Sequence, residues 1–312
     1  MYYPFLRARQ FELISLRELV SDNTLQGKVV PVLEPIKEEF GNLNLAHSIF
    51  QLKDFNPYLI VNPQAGKKSG DTLFFLDYVN SLENCKFLHA FIYTDNYDYI
   101  THCIQSYDIT NCMIIGLDSF SNDEGFKAAC QLPTVTDIML LDPGKYRGLD
   151  RFIKTLGKNY IRLDDLFEKQ QKNADFLEIP AHKFSEEHLY YSSENYQGFS
   201  DFTVLSSEFI DGGSTPRAVA IHLTYLNAAE ENQIWIRHFT SESNDGIANV
   251  QGKFAEAATK AIDFCDEQSM TNSALDELRK YLIDGKYPGL GTVKKISIKN
   301  HLIVVSSYLT ND

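Results

Sequence analysis

Polar side chains follow six short apolar runs of the sequence, and their types and spacing suit them to chemistry. These residues are Glu34, Asn62, Asp95, Asp118, Asp142 and Asp164. Carboxylates gathered at one mouth repel one another unless a cation or raised pKa values relieve the repulsion. Such oxygen ligands suit Mg²⁺ or Mn²⁺, and paired carboxylates suit general acid/base catalysis. The pattern predicts an acidic site with Glu34, Asp118 and Asp142 as catalytic candidates and Mg²⁺ or Mn²⁺ as the candidate cofactor.

These polar residues also have a simpler interpretation. Asp and Asn often follow strands because their side chains start loops and cap helices. For any one of the acids, a cap is the more common role. A shared pocket therefore stays a hypothesis, and the sequence does not say which residues would hold a metal.

Basic, aromatic and histidine side chains could share the mouth. Arg9, just ahead of the first predicted helix, is a further catalytic candidate. The candidates for binding a substrate are Asn62, Tyr93, Asp95, Arg162, His222 and Arg237. For Arg162 the alternative is a structural ion pair with Asp118 or Asp142. For His222 the alternative is a hydrogen-bonded packing role, and the histidine spacings match no zinc motif.

A glycine-containing loop, Asp211–Arg217, carries two glycines and an arginine. Phosphate-binding loops use these parts, and barrels often hold phosphate near their last strands. A plain hairpin turn is the favoured interpretation, because the chain has neither a P-loop motif nor a dinucleotide-binding motif.

The six apolar runs predict strands that are buried on both faces, because they show little polar alternation. The runs are Val29–Leu33, Tyr58–Val61, Phe87–Tyr93, Met113–Leu117, Ile138–Leu141 and Tyr160–Leu163. Helical spacing between runs, as in Thr72–Asn80, gives the strand–helix alternation of a parallel sheet. Because the carboxyl ends of parallel strands share one face, we expect the polar strand ends to cluster there.

The strand–helix alternation stops after about residue 170, and the polar stretch from there to residue 197 predicts helix and loop. Short connections then predict antiparallel strands at Asp201–Leu205, Ala218–Tyr225 and Ile234–Phe239. Helices are predicted at Gln251–Glu267 and Ser273–Ile283, and a last strand at Leu302–Tyr308. We expect one α/β domain over residues 1–312. It would be a TIM-like barrel, regular over 1–170, then irregular or extended by antiparallel strands, with C-terminal helices.

The bulk composition excludes some classes of partner. The net charge of -13 argues against non-specific binding to nucleic acid, and no apolar stretch is long enough to span a membrane. The five cysteines form no CxxC pair and predict free, mostly buried thiols in a reducing compartment. With no signal-peptide pattern, we expect a cytoplasmic protein.

The first forty residues contain the segments Tyr2-Tyr3-Pro4-Phe5-Leu6-Arg7-Ala8-Arg9-Gln10-Phe11-Glu12-Leu13 and Val30-Pro31-Val32-Leu33-Glu34-Pro35. In these two segments the chain resembles the "beta protein" family of bacteria and phages. The resemblance marks Arg9, Glu12 and Glu34 as positions of the family pattern, and it implies a barrel-like fold without a particular activity. It also implies a phage-related or conflict-system locus, with phage defence as one such role.

Two functions therefore stand as expectations. The first is a hydrolase-type enzyme with an acidic, Mg²⁺- or Mn²⁺-dependent site that acts on a phosphorylated or polar substrate. The alternative is a non-catalytic component that binds another protein, encoded nearby. The oligomeric state stays open.

Overall fold

The computed structural model of the chain describes residues 1–25, 27–210, 217–244 and 246–311. In these ranges the strands are β1 (Phe5–Leu6), β2 (Val32–Leu33), β3 (Tyr58–Ile60), β4 (Leu88–Ile92), β5 (Cys112–Gly116), β6 (Val135–Leu141), β7 (Asn159–Asp164), β8 (Ala181–Ser185), β9 (Gly198–Asp201), β10 (Ala220–Asn227) and β11 (Gln233–Thr240). The α-helices are α1 (Gln10–Ser21), α2 (Gly41–Lys53), α3 (Thr72–Ser81), α4 (Tyr97–Ser106), α5 (Asp123–Gln131), α6 (Arg147–Lys154), α7 (Glu187–Tyr190), α8 (Val250–Glu267), α9 (Ser273–Ile283) and α10 (Leu290–Asn311).

Eight parallel strands form the barrel, in the order β1 to β7 and then β9. Tyr2 closes the ring, because it bridges in parallel to Val29 on one side and to Phe199 on the other. The amide of Tyr3 donates to the carbonyl of Phe199 at 2.9 Å. The predicted TIM-like α/β barrel is confirmed, and each of the six predicted runs overlaps one of its strands.

Alternate side chains of each strand face the inside and the outside of the barrel, as the pleat requires. The inside is filled by an apolar cluster that includes Phe5, Tyr58, Ile92, Met139 and Phe202. The outer faces join a larger core beneath the helices. The barrel interior is therefore a packed core rather than a channel.

A second sheet of three antiparallel strands, in the order β10-β11-β8, is added to the barrel. The hairpin of β10 and β11 places His222 directly opposite His238. The added antiparallel strands are confirmed, but two details of the prediction are wrong. The polar stretch before residue 197 supplies β8, and Gly198–Asp201 is a parallel barrel strand, where an antiparallel one was expected at Asp201–Leu205.

The segment Leu302–Tyr308 is not a strand but part of the 22-residue helix α10. Its β-branched residues favour a strand locally. However, Ile298, Leu302, Val305 and Leu309 recur at helical spacing and are all buried. Burial of this face against the neighbouring elements decides the conformation.

A closing cluster of four buried side chains joins α10 to β10 and to the barrel seam, which is the place where the two ends of the ring meet. The hydroxyl of Tyr2 donates to Asp201 at 2.6 Å and lies 2.9 Å from Nε2 of His301. The other ring nitrogen of His301 lies 3.1 Å from the hydroxyl of Thr224. The closing cluster therefore ties together the two ends of the ring, the last helix and the added sheet.

Two further findings bear on the sequence predictions. The five cysteines are free, and all but the half-buried Cys85 are buried. No α-helix of the described residues is long and apolar enough to cross a membrane.

Candidate functional site

An ion pair between Arg7 and Glu34 closes the centre of the barrel mouth. Glu34 is fully buried and also accepts a hydrogen bond of 2.7 Å from the amide of Gln64. The guanidinium of Arg7 lies 5.5 Å from the ring centre of Phe5 and 5.9 Å from that of Phe202. The carboxylate of Glu34 is therefore already neutralised, and aromatic rings fill the space below it.

Asn62 extends the ladder between β3 and β4. Its amide donates to the carbonyl of Ile92 at 2.6 Å and accepts from the Ile92 amide at 2.7 Å. The side chain is buried and all these contacts are with the backbone. In this structure Asn62 joins strands at the mouth.

Asp95 and Tyr93 lie at the end of β4, away from the barrel axis. Asp95 accepts hydrogen bonds from the hydroxyl and amide of Ser121 and from the Asn122 amide, which together lower its pKa. Tyr93 faces the outer core and packs against Phe126 at 5.5 Å. Asp95 thus holds the loop before α5 in place.

Asp118 and Asp142 occupy the exposed rim beside β5 and β6. The hydroxyl of Tyr146 donates to Asp118 at 3.0 Å, and Lys145 pairs with Asp142 at 3.0 Å. The hydrogen bond to Asp142 raises the pKa of Lys145, and the charge of Asp118 raises it further. These two acids share a stretch of rim, but Glu34 is held separately by Arg7.

Arg162 faces the outside of the barrel, because its neighbours Ile161 and Leu163 point inward. It pairs with Asp164 at 2.7 Å, Glu187 at 3.3 Å and Glu194 at 3.4 Å. An ion pair is present, but its partners are not the expected Asp118 or Asp142. Burial raises the pKa of Asp164 despite this contact.

Arg237 lies on the face of the added sheet that packs against α8. Its guanidinium lies 4.5 Å from the ring centre of Phe264. His222 and His238 project from the opposite face, so Arg237 and His222 do not meet. The polar residues named from the sequence are therefore divided among several places.

No metal centre is formed within the described ranges, where no group of three or more His, Cys, Asp or Glu side chains is placed to hold an ion. The strand-end acids are each engaged by a different partner, as described above. The donor set expected for Mg²⁺ or Mn²⁺ is not assembled in this structure.

A cavity of about 350 Å³, which we call the rim pocket, lies at one side of the mouth. Its walls come from the residues after β1, the connections after β7 and β9, the start of β10 and the first turns of α10. Of the residues named from the sequence, it brings together Arg9 and His222. The glycine-containing loop falls outside the described residues from Asp211 to Pro216.

Four cations and two carboxylates are found among the described residues that line the rim pocket. They are Arg7, Arg9, Lys169 and Lys294, with Glu12 and Glu208. Lys294 pairs with Glu12 at 2.8 Å, and Lys169 pairs with Glu208 at 2.5 Å. Arg9 donates to the carbonyl of Ile210 at 2.8 Å.

The cations on one wall lie nearer the surface than the carboxylates that pair with them. The side chain of Lys294 is 30% exposed and that of Glu12 1%. The side chain of Arg7 is 17% exposed and that of Glu34 0%. On this wall the carboxylates are buried behind the cations, so the surface that faces the cavity is positively charged.

Two helices also begin at this wall. Arg9 and Glu12 belong to the start of α1, and Leu290 and Val293 to the first turn of α10. The first amides of a helix lack partners within it, and the helix dipole is positive at this end. Both effects favour an anion.

Sequence reasoning missed Arg7, Lys169 and Lys294. Arg7 directly follows the short apolar run Tyr2–Leu6, and Arg9 lies two positions later; this run could have signalled a strand end. No local signal marks Lys169 or Lys294, which lie 125 positions apart in the chain and meet only through the fold.

A scan against models of protein families, a search of curated proteins and a search of solved structures each found no match. The geometry of the chain itself must therefore support any functional proposal.

Proposed function

We propose that the rim pocket binds a small anionic molecule, such as a phosphorylated or carboxylate compound, as ligand or substrate. The observation that supports it is the wall on which Arg7 and Lys294 cover Glu34 and Glu12. The net charge of -13 makes the surface as a whole repel anions, so cations gathered at a cavity form a local exception. Here they would hold a negative charge that the rest of the surface repels.

The position of the pocket supports the same ligand class. The rim pocket lies beside the connections that follow β7 and β9, the seventh and eighth barrel strands. Barrels of this architecture often hold phosphate at that place, which supports the proposal by analogy only. A volume of about 350 Å³ suits a metabolite rather than a polymer.

The lining is not only charged. Phe167, Phe176 and Phe209 supply apolar area beside the cations. A ligand with an anionic group and an apolar part would use both kinds of wall, since pockets gain affinity from apolar contact and orientation from a few polar groups.

The test is a thermal-shift and calorimetric titration with sulfate and inorganic phosphate, with spermidine as a cation of opposite sign. An anion that binds the folded state raises the melting temperature with concentration. Lys169→Gln should weaken sulfate binding about threefold, and Glu208→Gln should tighten it about threefold, as expected for exposed charges.

Lys127→Gln is the matched control, because Lys127 pairs with Glu124 on α5 and does not line the pocket. Its sulfate affinity should equal that of the wild type. Stabilisation by spermidine instead of the oxyanions, or equal effects of Lys169→Gln and Glu208→Gln, would contradict the proposal.

A further inference from the structure

Two histidines lie at the floor of the rim pocket in direct contact. Nδ1 of His222 lies 2.7 Å from Nδ1 of His238, across the hairpin of β10 and β11. At this distance one ring donates its N–H and the other accepts it. His222 is half-buried and lines the pocket, and His238 is buried behind it.

The contact decides which nitrogen of His222 a ligand can meet. Its Nδ1 is occupied by His238, so Nε2 is the ring nitrogen left for the cavity. When His222 donates Nδ1–H to His238, its Nε2 carries a lone pair that can take a proton from solvent. The resulting imidazolium keeps the hydrogen bond to His238, and its charge would face the bound molecule.

The surroundings keep the pair neutral while the pocket holds no anion. Burial lowers the pKa of His222 to about 4 and lowers that of His238 further, where the neighbouring His222 and His182 add to the effect. Phe167 and Phe176 pack against the rings.

Other charged groups face the pair from each packed element. On the side of the rim pocket they are the four cations and two carboxylates named above. From β8 comes His182, whose Nε2 lies 3.9 Å from Glu168. His238 also lines a second cavity of about 310 Å³, toward α8, whose charged groups are Arg237, Lys260, Asp263 and Glu267.

Nε2 of His238 is buried and has no hydrogen-bond partner among the described residues. In a purely structural pair, both outer nitrogens would be expected to find partners, because an unpaired buried polar atom costs free energy. The closing cluster shows the other arrangement, in which both ring nitrogens of His301 have contacts.

We propose that His222 and His238 form a proton-accepting pair, so that an anion that enters the rim pocket is bound together with one proton. This inference rests on the proposed function. The proton comes from solvent and goes to Nε2 of His222, and no covalent bond to the ligand forms or breaks. His222 contacts the ligand, and His238 positions the ring of His222.

Proton binding and anion binding are thermodynamically linked, and this linkage fixes how the affinity for the anion changes with pH. A bound anion favours the charged form of His222, so the complex holds more protons than the free protein. Affinity must then rise as the pH falls. An opposite charge at contact distance raises a pKa by about 2, which gives about tenfold tighter binding at pH 5 than at pH 8.

The experiment is calorimetric titration with sulfate from pH 8 to pH 5, because sulfate keeps its charge over this range. The wild type should gain about tenfold in affinity, with close to one proton taken up per sulfate at pH 5 and almost none at pH 8. His222→Gln should bind sulfate at pH 8 nearly as well as the wild type, but should gain less than about twofold on acidification. His238→Gln should show an intermediate gain.

The matched control is His102→Gln, because His102 is an exposed residue of α4 outside the pocket, and this variant should keep the full gain. A second readout needs no variant: in a ¹H–¹³C spectrum of the eight histidines, one ring should titrate near pH 6 with sulfate present and below pH 5 without it. A tenfold gain that persists in His222→Gln would overturn the inference.

The two proposals fail in different ways. Sulfate that binds with the same affinity at pH 5 and pH 8 would remove the proton coupling and leave the anion site standing. No binding of sulfate or phosphate at any pH would remove the anion site, and the coupling with it.

Discussion

The closing cluster and the rim pocket both contact β10 and α10, and both contain a histidine, but their polar atoms are used differently. In the closing cluster Tyr2, Asp201, Thr224 and His301 are buried and bonded to one another. In the rim pocket the cations are partly exposed, and His222 has one ring nitrogen left for the cavity. The difference teaches that residue types do not separate a structural cluster from a binding site, whereas the satisfaction of their hydrogen bonds does.

The largest effect is expected in the closing cluster. Asp201→Ala would leave the hydroxyl of Tyr2 and the amide of Thr203 without their acceptor, since they lie 2.6 and 2.8 Å from it. We expect the free energy of unfolding to fall by about 3 kcal/mol. The measurement is the denaturant midpoint at an unchanged slope.

Asp201→Asn is the matched control for that change. It keeps one acceptor oxygen and should lose about half as much free energy of unfolding. Equal losses for the two variants would show that charge, rather than hydrogen bonding, holds the closing cluster together.

Glu34→Gln tests the buried side of the rim. It would leave Arg7 partly buried without its carboxylate, so we expect a loss of about 2 kcal/mol in the free energy of unfolding. Sulfate binding at the rim pocket should not weaken, because Arg7 keeps its charge. Weaker sulfate binding would show that the orientation of Arg7, fixed by Glu34, matters more than its charge.

We expect Glu187, which lies beside Arg162 on the outside of the barrel, to make stability depend on pH. Burial raises the pKa of Glu187 to about 7 despite the charge of Arg162. In the unfolded chain this carboxyl titrates near 4.5. Between these values the folded state holds more protons, so stability falls as the pH rises from about 4.5 to 7.

The two pKa values would correspond to about 3 kcal/mol, and solvent screening of this partly exposed carboxyl reduces the effect to about 1–2 kcal/mol. Glu187→Gln should flatten the dependence of the melting temperature on pH in that window and should stabilise the protein at pH 8. A steeper dependence in the variant would contradict the assignment to Glu187. Asp54→Asn is the control, because Asp54 is exposed and pairs with Lys86 rather than with Arg162.

The smallest effects are expected on the exposed rim. Asp142→Asn and Asp118→Asn should each change the free energy of unfolding by less than about 0.5 kcal/mol, because surface ion pairs and exposed hydrogen bonds contribute little. Asn also tolerates the left-handed conformation of Asp142. A loss above about 1 kcal/mol would mean that this part of the rim is more coupled to the barrel than its exposure indicates.

The sequence carries the strand–helix repeat because buried parallel strands are apolar on both faces. It also predicts where six of the eight barrel strands begin to within three residues, as for Tyr58 in β3. It does not predict β1 or β9, because two and four residues carry no periodicity that a window can detect. The last helix is not predicted for another reason. The run Ile303-Val304-Val305 favours a strand by local preference, and only the burial of the helical face shows that it is a helix.

The residues of the candidate site, like the strands, could be predicted from the sequence only in part. Arg9 and His222 could be named from position alone, and the structure places both at the rim pocket. The partners of Glu34 and Asp95 could not be foreseen, because Arg7 and Ser121 reach them from other parts of the chain. A strand-end acid in a sequence therefore predicts a place in the fold, and its partner decides what the acid does there.

The closure of the ring by Tyr2 and Phe199 has a consequence for synthesis. Nearly two hundred residues separate the two sides of this seam, so β1 leaves the ribosome long before β9 can pair with it. During that interval one edge of β1 is open to other chains, and open edges invite aggregation. The two-residue length of β1, which conceals it in the sequence, also makes it a poor template for another strand.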